Sequence, residues 1–515
     1  MNTYSNLKSP VAKAFSQIQW DALGSLKLTA QETALLRMAE TNSMDYTLAD
    51  SRDASMYSRV LLKLLAEACA AGAGSGEVSR MSEGEVSEDE AIRALSVDPL
   101  GVVSHYALTK LMEILNTLRS GVKGVTVASV FYVGKEGLLV DQWKALLRVL
   151  NKGGKGDIFA QKIASLCLTQ ILVTACPSRK SSAARPIKYA SALEPLEAIT
   201  AWIVSQLKNS SGTQVAISTP AMRILMEAKE TRTMFCSSGG IKYMARQLRV
   251  GSKSKSLTGS EKKKFGQASV QQLYEICFCM WMLTYDLNDS YAIRADFAKD
   301  TLAVSALCDL VSVAPREKVV RVALSSLRNL ATCNAETDSQ PAGQTPIDGK
   351  FFLSEMIACG LMKSIDYLRE RQFTDPDLVE DITLLHKMLH ENYKEMSRWE
   401  VYKNEVESGH LQWGSTHTEA FFKENARMIE GSDGDFHLLK VLIALLSSKD
   451  EEVAAIACYD IGEFVRHYPN GRAIAKRLGA KELVMPLIEH ENPELQRHAL
   501  QCVSKIMVHN WEFVK

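Results

Sequence analysis

Long hydrophobic runs are missing from this sequence. The longest, Ile276 to Leu283 within YEICFCMWMLTY, falls far short of the roughly 20 apolar residues a membrane-spanning helix needs, so a soluble chain is expected. An excess of either charge is missing too. Lys and Arg number 60 and so do Asp and Glu, which leaves no electrostatic reason for nucleic acid as the main partner. The opening MNTYSNLKSPVAKAF has no continuous apolar segment of the signal-peptide kind, and secretion is not expected. The eleven cysteines are an odd number scattered through helical patterns, and Cys167, Cys277, Cys458 and Cys502 have apolar neighbours, the setting of buried, reduced thiols.

Catalytic signatures are equally scarce. A phosphate-binding GxxxxGK[ST] loop wraps phosphates in glycine amides and reaches them with its lysine. The nearest stretch, at Gly349-Lys350, has Gln344 where the first glycine belongs and Phe351 where a hydroxyl is required. The glycine-rich NKGGKGD, Asn151–Asp157, fails the same spacing and reads as a helix-to-helix connector. Neither HExxH nor GxSxG occurs, so zinc-protease and serine-elbow chemistry lack their residues. Cys277 and Cys279 have no second pair with which to hold zinc, and on a helix their thiols point to different sides. His467, His490, His498 and His509 read as helix-end or surface residues, and Glu451-Glu452 as acids at a helix start, where the dipole favours them. No catalytic residue, cofactor-binding residue or metal ligand is expected.

What the chain does contain is repetition. Laying Val453 over Leu495 puts Ala457 on Ala499, Ile461 on Val503, Phe464 on Ile506 and Val465 on Met507. Steps of three and four return to one side of a helix, so each stretch is an amphipathic helix with one apolar stripe and small alanines where a neighbour approaches. A third copy follows Pro315 through Val319, Ala323, Leu327 and Leu330, and a weaker fourth runs through Ala160, Ala164, Leu168 and Ile171. Short Gly-led helices recur at Gly239–Leu248, Cys359–Leu368 and around Gly479. Helical units of about 40–47 residues, three short helices each, are the pattern of armadillo and HEAT arrays, in which a unit buries its stripe only by stacking on the next. The fold class expected is an all-α armadillo/HEAT-repeat solenoid in two domains, a large N-terminal and a small C-terminal one.

Helices are expected from Trp20 to Leu65, with Thr29 and Glu32 as a capping box, again from Ala91 to Cys176, and from Pro376 to Leu389. The Gly-, Ser- and Glu-rich stretch 71–90 cannot bury enough surface to offset its ordering and reads as a mobile insertion. Residues 178–188 and 251–266 are basic loops, solvated or turned toward acidic protein or phosphate. Beyond Leu389, YKEMSRWEVYKNEVESGHLQWGSTH loses the repeat spacing. The boundary is therefore set near Glu391 to Glu395, within a window that runs from Arg371 to Gly414, dividing the chain into 1–391 and 392–515.

Specific strings carry a resemblance. CYDIGEFVRHYPNG, GAKELVMPLIEHENPELQRHAL and KIMVHNWE, together with MRILMEAKETRTMFCSSGGIKYM and LRERQFTDPDLVEDITLLHKML, resemble the H-subunit family of the vacuolar-type proton-translocating ATPase (V-ATPase). The insertion 71–90 departs from that family's usual pattern. The resemblance implies a non-catalytic regulatory component on the cytosolic face of vacuolar and other endomembranes, without a cofactor of its own. The large domain is implied to hold the E and G subunits of the peripheral stalk. The small domain is implied to touch the cytosolic N-terminal part of the membrane-embedded a-subunit in the assembled pump, and to reach the catalytic hexamer and central rotor when it restrains hydrolysis by the detached soluble sector. The family's inhibitory loop maps onto Ser447, Ser448, Lys449, Asp450 and Glu451, which equally fit an ordinary interhelical turn. The competing reading is a general armadillo adaptor or transport receptor for extended peptides. Such a groove carries a repeating Trp–Asn array, which Trp20, Trp143, Trp202 and Trp281 do not form.

Overall fold

The computed structural model describes residues 7–72, 76–81, 87–121, 124–132, 140–151, 157–176, 187–208, 212–253, 270–299, 302–314, 316–334, 347–395, 397–431 and 434–507. The described residues are α-helices, short 3-10 turns and connectors, with no strand among them. The chain separates into two compact units, Met1–Asp296 and Phe297–Lys515. Both are all-α stacks of the armadillo/HEAT kind.

In the first unit the long helices Ser51–Ala70, Pro99–Ser120, Ile158–Val173, Gly212–Leu225 and Val270–Thr284 each pack on the next in chain order. Shorter helices fill the space beside them, such as Val140–Asn151 against Ser51–Ala70 and Ile158–Val173. The local signals act as their chemistry dictates. Thr29 Oγ1 accepts from the amide of Glu32 while the Glu32 carboxylate accepts from that of Thr29, closing the capping box that starts Ala30–Thr41. Helix Ile158–Val173 departs from the single stripe its spacing suggests. Every residue from Phe159 through Leu172 except Lys162 is buried, because Pro99–Ser120, Val140–Asn151 and Gly212–Leu225 enclose the helix. Its polar residues turn inward, as where the Thr169 hydroxyl donates to Ser165 O at 2.7 Å. Cys277 and Cys279 are both fully buried on a helix covered on two sides, and burial pushes the Cys277 thiol up to about 12.

Part of the 71–90 stretch has a definite structure. Val78–Arg80 form a 3-10 turn with Val78 buried, its amide donating to Asp98 Oδ2, and Ser87 and Glu90 make a capping box for helix Glu88–Val97. Residues 73–75 and 82–86 lie outside the described residues, as do most of both basic loops, the 152–156 glycines, Pro315 and His509.

The second unit repeats the scheme. Leu302–Val313 packs on Glu317–Ala331, which packs on Pro376–Glu395; Gly349–Ala358 packs on Pro376–Glu395 and on Arg398–Ser408. His437–Leu445, Glu451–His467 and Pro493–Met507 continue the stack. The third repeat keeps one stripe: Val319, Ala323, Leu327 and Leu330 are all fully buried. Helix Pro376–Glu395 runs beyond Leu389, and Arg398–Ser408 is a helix within the stretch that loses repeat spacing, started by a Ser397–Glu400 capping box.

Candidate functional site: the 447–451 loop and its supports

Helix His437–Leu445 ends in a tight turn, with the amides of Ser447 and Ser448 donating to Ala444 O and Leu445 O. Asp450 then starts helix Glu451–His467, its Oδ1 accepting from the Glu452 amide at 3.1 Å, and Ser448 Oγ accepts from the Asp450 amide. Glu451 and Glu452 occupy the first turn. Ser447, Lys449, Asp450 and Glu451 are exposed and Ser448 is half-buried, so all five predicted contact residues sit together on one short surface turn. The neighbouring repeat fastens it. Asn492 Nδ2 donates to Glu451 Oε2 at 2.6 Å, while Asn492 Oδ1 accepts from the amides of Glu494 and Leu495 at the head of Pro493–Met507.

Beneath the loop, Glu451–His467 is enclosed by His437–Leu445, Glu419–Asn425, Gly471–Arg477 and Pro493–Met507. Gly462 lets the last of these approach, since a β-carbon there would come within 3.1 Å of Lys505 Cδ and 3.5 Å of Cys502 Cα. At the next residue, Glu463, which is only 2% exposed, pairs with the Lys505 ammonium. A second buried cluster ties the helix to the 409–418 segment. His417 Nδ1 meets Asp460 Oδ2 at 2.9 Å, and its Nε2 lies 3.2 Å from Glu405 Oε2, which also accepts from Thr416 Oγ1. Burial alone lowers the pKa of an imidazole, but the two carboxylates outweigh it and hold His417 up at about 10, so the ring is a cation at neutral pH. Burial raises Asp460 despite its cationic partner. His498, expected at a helix end or surface, is instead buried against Trp413, with ring centroids 5.0 Å apart, and against Tyr459 at 5.8 Å. The aromatic face of a neighbouring segment covers it, which the helix's own spacing does not reveal.

The acids of FTDPDLVED have a plain structural use. Arg321 reaches Asp375 at 2.7 Å and Asp377 at 2.6 Å, while Arg328 reaches Asp381 at 2.6 Å and Glu380 at 3.0 Å, fastening Pro376–Glu395 to Glu317–Ala331. In KETRTMF, Arg232 makes a two-pronged bond to Asp286 and donates to Met226 O at 2.8 Å. Elsewhere Ser9, His105 and Asp157 line up, with Ser9 Oγ 2.9 Å from His105 Nδ1 and His105 Nε2 2.5 Å from Asp157 Oδ2. The order of groups is that of a hydrolase triad, but all three are buried. Ser9 Oγ accepts from the Val11 amide and Asp157 caps Ile158–Val173, so the trio fastens chain segments together.

Apart from Ser9 and Val11, these residues lie within the two segments that family models match. The N-terminal and C-terminal family models of the V-ATPase H subunit match residues 101–389 and 395–511, in that order. The chain is 30% identical over 379 residues to a probable V-type proton ATPase H subunit of Oryza sativa subsp. japonica, covering 72% of this chain and 75% of that one. It is 30% identical to the V-type proton ATPase H subunit of Drosophila melanogaster over 61% of this chain and 60% of the relative. A probable V-type proton ATPase H subunit of Caenorhabditis elegans reaches 35% over 46% of this chain and 50% of its own length. Among solved structures, a designed armadillo repeat protein at 15% identity covers 60% of this chain and 99% of its own, with a TM-score of 0.26. With both halves of the family pattern matched in sequence order, the chain belongs to the V-ATPase H-subunit family.

Proposed function

We propose that this chain is a non-catalytic regulatory subunit of the vacuolar-type proton pump, required for coupled ATP-driven transport and restraining hydrolysis by the detached soluble sector. The match to both family models, 101–389 and 395–511, carries this reading. Among the described residues no helix is long and apolar enough to cross a membrane, which suits a component bound at the cytosolic face of endomembranes. In this reading residues 1–391 hold the E and G stalk subunits. Residues 392–515 touch the cytosolic N-terminal part of the a-subunit in the assembled pump, and the catalytic hexamer and rotor in the inhibited state. The exposed turn Ser447–Glu451 is the inhibitory contact, and its fastening by Asn492 supports that role, because a contact loop held in one shape loses less entropy on docking.

The 391/392 boundary falls inside helix Pro376–Glu395 and within the compact unit Phe297–Lys515, so a reorientation of the C-terminal part has to pivot beyond that helix and to release specific contacts. Ser408 Oγ donates to Ala358 O at 3.4 Å, Ser305 Oγ meets His410 Nε2 at 2.9 Å, and Gly360, at φ +73°, lies against Gln412. Whichever partner binds one arrangement better then sets the population. The test is to add the purified chain to detached soluble ATPase sector. Magnesium-dependent hydrolysis is expected to fall, and to fall less with Lys449, Asp450 and Glu451 all changed to Ala. Unchanged hydrolysis at saturating binding overturns the braking role; full inhibition by the triple variant overturns only the loop assignment.

A further inference from the structure

Helix Pro376–Glu395 carries His386 and His390 four residues apart, which places both imidazoles on one face, with ring centroids 4.3 Å apart. Helix Leu361–Arg369 packs against it and presents Asp366 to the pair. Asp366 Oδ1 is 3.3 Å from Nε2 of His386 and 3.3 Å from Nε2 of His390, and the three donor atoms all lie within 4.8 Å of one another. We propose that His386, His390 and Asp366 form a binding site for a divalent transition metal of the zinc class. Zinc–nitrogen and zinc–oxygen bonds of about 2.0–2.2 Å put neighbouring donors of a tetrahedral shell about 3.4 Å apart, close to the two carboxylate–imidazole separations seen here.

The donor set selects the metal. Two imidazoles and one carboxylate suit zinc, nickel or copper, whereas calcium and magnesium take shells of oxygen. Three protein ligands leave a fourth position for water or a partner's side chain. Arg369 Nη1 now donates to His386 Nε2 at 2.8 Å, a bond only a neutral imidazole accepts. Arg369 is exposed and its long side chain is free to swing out as metal enters. Occupancy then staples Leu361–Arg369 to Pro376–Glu395. The HxxxH spacing is readable in the sequence, but the third ligand comes from another helix, which is why no metal site is expected from motifs alone.

The test is titration of the metal-free full-length chain with zinc by calorimetry, repeated with cobalt to read the ligand set from its visible spectrum. Wild type is expected to bind one more equivalent of zinc than H386A/H390A. Single His variants are expected to weaken that equivalent by at least about 100-fold, beyond the roughly tenfold to 100-fold cost of losing an outer-shell group. R369A, lacking the competing donor, is expected to bind more tightly; weaker binding by R369A counts against the site. Zinc is also expected to raise the melting temperature of wild type and not of H386A/H390A, with the two matching in its absence. Equal affinity and stoichiometry in wild type and H386A/H390A overturn the proposal, as does a cobalt spectrum of thiolate type that the double variant leaves unchanged.

Discussion

Helices Glu451–His467 and Pro493–Met507 carry the same apolar spacing one repeat apart and meet opposite fates. In the first, burial runs almost unbroken from Val453 to Val465 and takes in the charged residues Asp460 and Glu463. In the second only Leu495, His498, Ala499, Cys502 and Ile506 are buried, while Leu500 is 53% and Met507 49% exposed. At equivalent positions Phe464 and Ile506 are both fully buried, but Val465 is 7% exposed where Met507 is half out. The spacing that makes a stripe is local; how many faces are covered depends on the neighbours. An enclosed helix must satisfy its charges within the protein, so Asp460 has His417 and Glu463 has Lys505, whereas the one-sided helix keeps Glu494 and Arg497 in water and turns Lys505 inward to Glu463.

The largest effect that exposes this difference is expected from the buried pair. His417→Ala strands Asp460 without a cation and is expected to cost about 3–5 kcal/mol in urea unfolding, whereas Arg497→Ala on the exposed face of the second helix stays within about 0.5 kcal/mol. The His417 contribution also has a pH signature. Its folded pKa, about 10, lies above the unfolded value near 6.5, so the contribution is whole below pH 6.5 and is lost as pH rises through 10. Wild type is therefore expected to lose more stability than His417→Gln over that interval; parallel losses break the argument. Next comes the matched pair: Val465→Ala is expected to cost about 1–2 kcal/mol and Met507→Ala less than about 0.5 kcal/mol. Equal costs mean that position in the stack does not control burial energy. The smallest effect is at the link between the repeats. Asn492→Ala removes a helix cap and the bond to Glu451, at about 1 kcal/mol, and amide exchange around 448–452 is expected to quicken.

Several features were legible because they depend on neighbours in the chain. The Thr29–Glu32 box and the Val319–Leu330 stripe follow from spacings of three and four, the helix opening at Pro376 from proline's fixed φ, and the acids at Glu451-Glu452 from the helix dipole. Helix Arg398–Ser408 was harder, since it buries only Val401, Tyr402 and Val406 and has no full stripe; the readable signal was the Ser397–Glu400 pair. The five loop residues are contiguous, so their adjacency was given once the helices on either side were placed. Their fastening was not, because Asn492 reaches Glu451 from the next repeat.

Periodicity, caps and turn residues therefore specify by themselves that the chain makes short helices, where most begin, and that they stack as repeats. Those choices are made by backbone geometry and by side chains within a turn of one another. Which faces are sealed, which charges pair in the dark and which imidazoles and carboxylates converge are matters for the folded stack. Asp366 with His386 and His390, and His417 with Glu405 and Asp460, belong to different helices or loops, and no sequence spacing encodes a distance between elements until packing has brought them together.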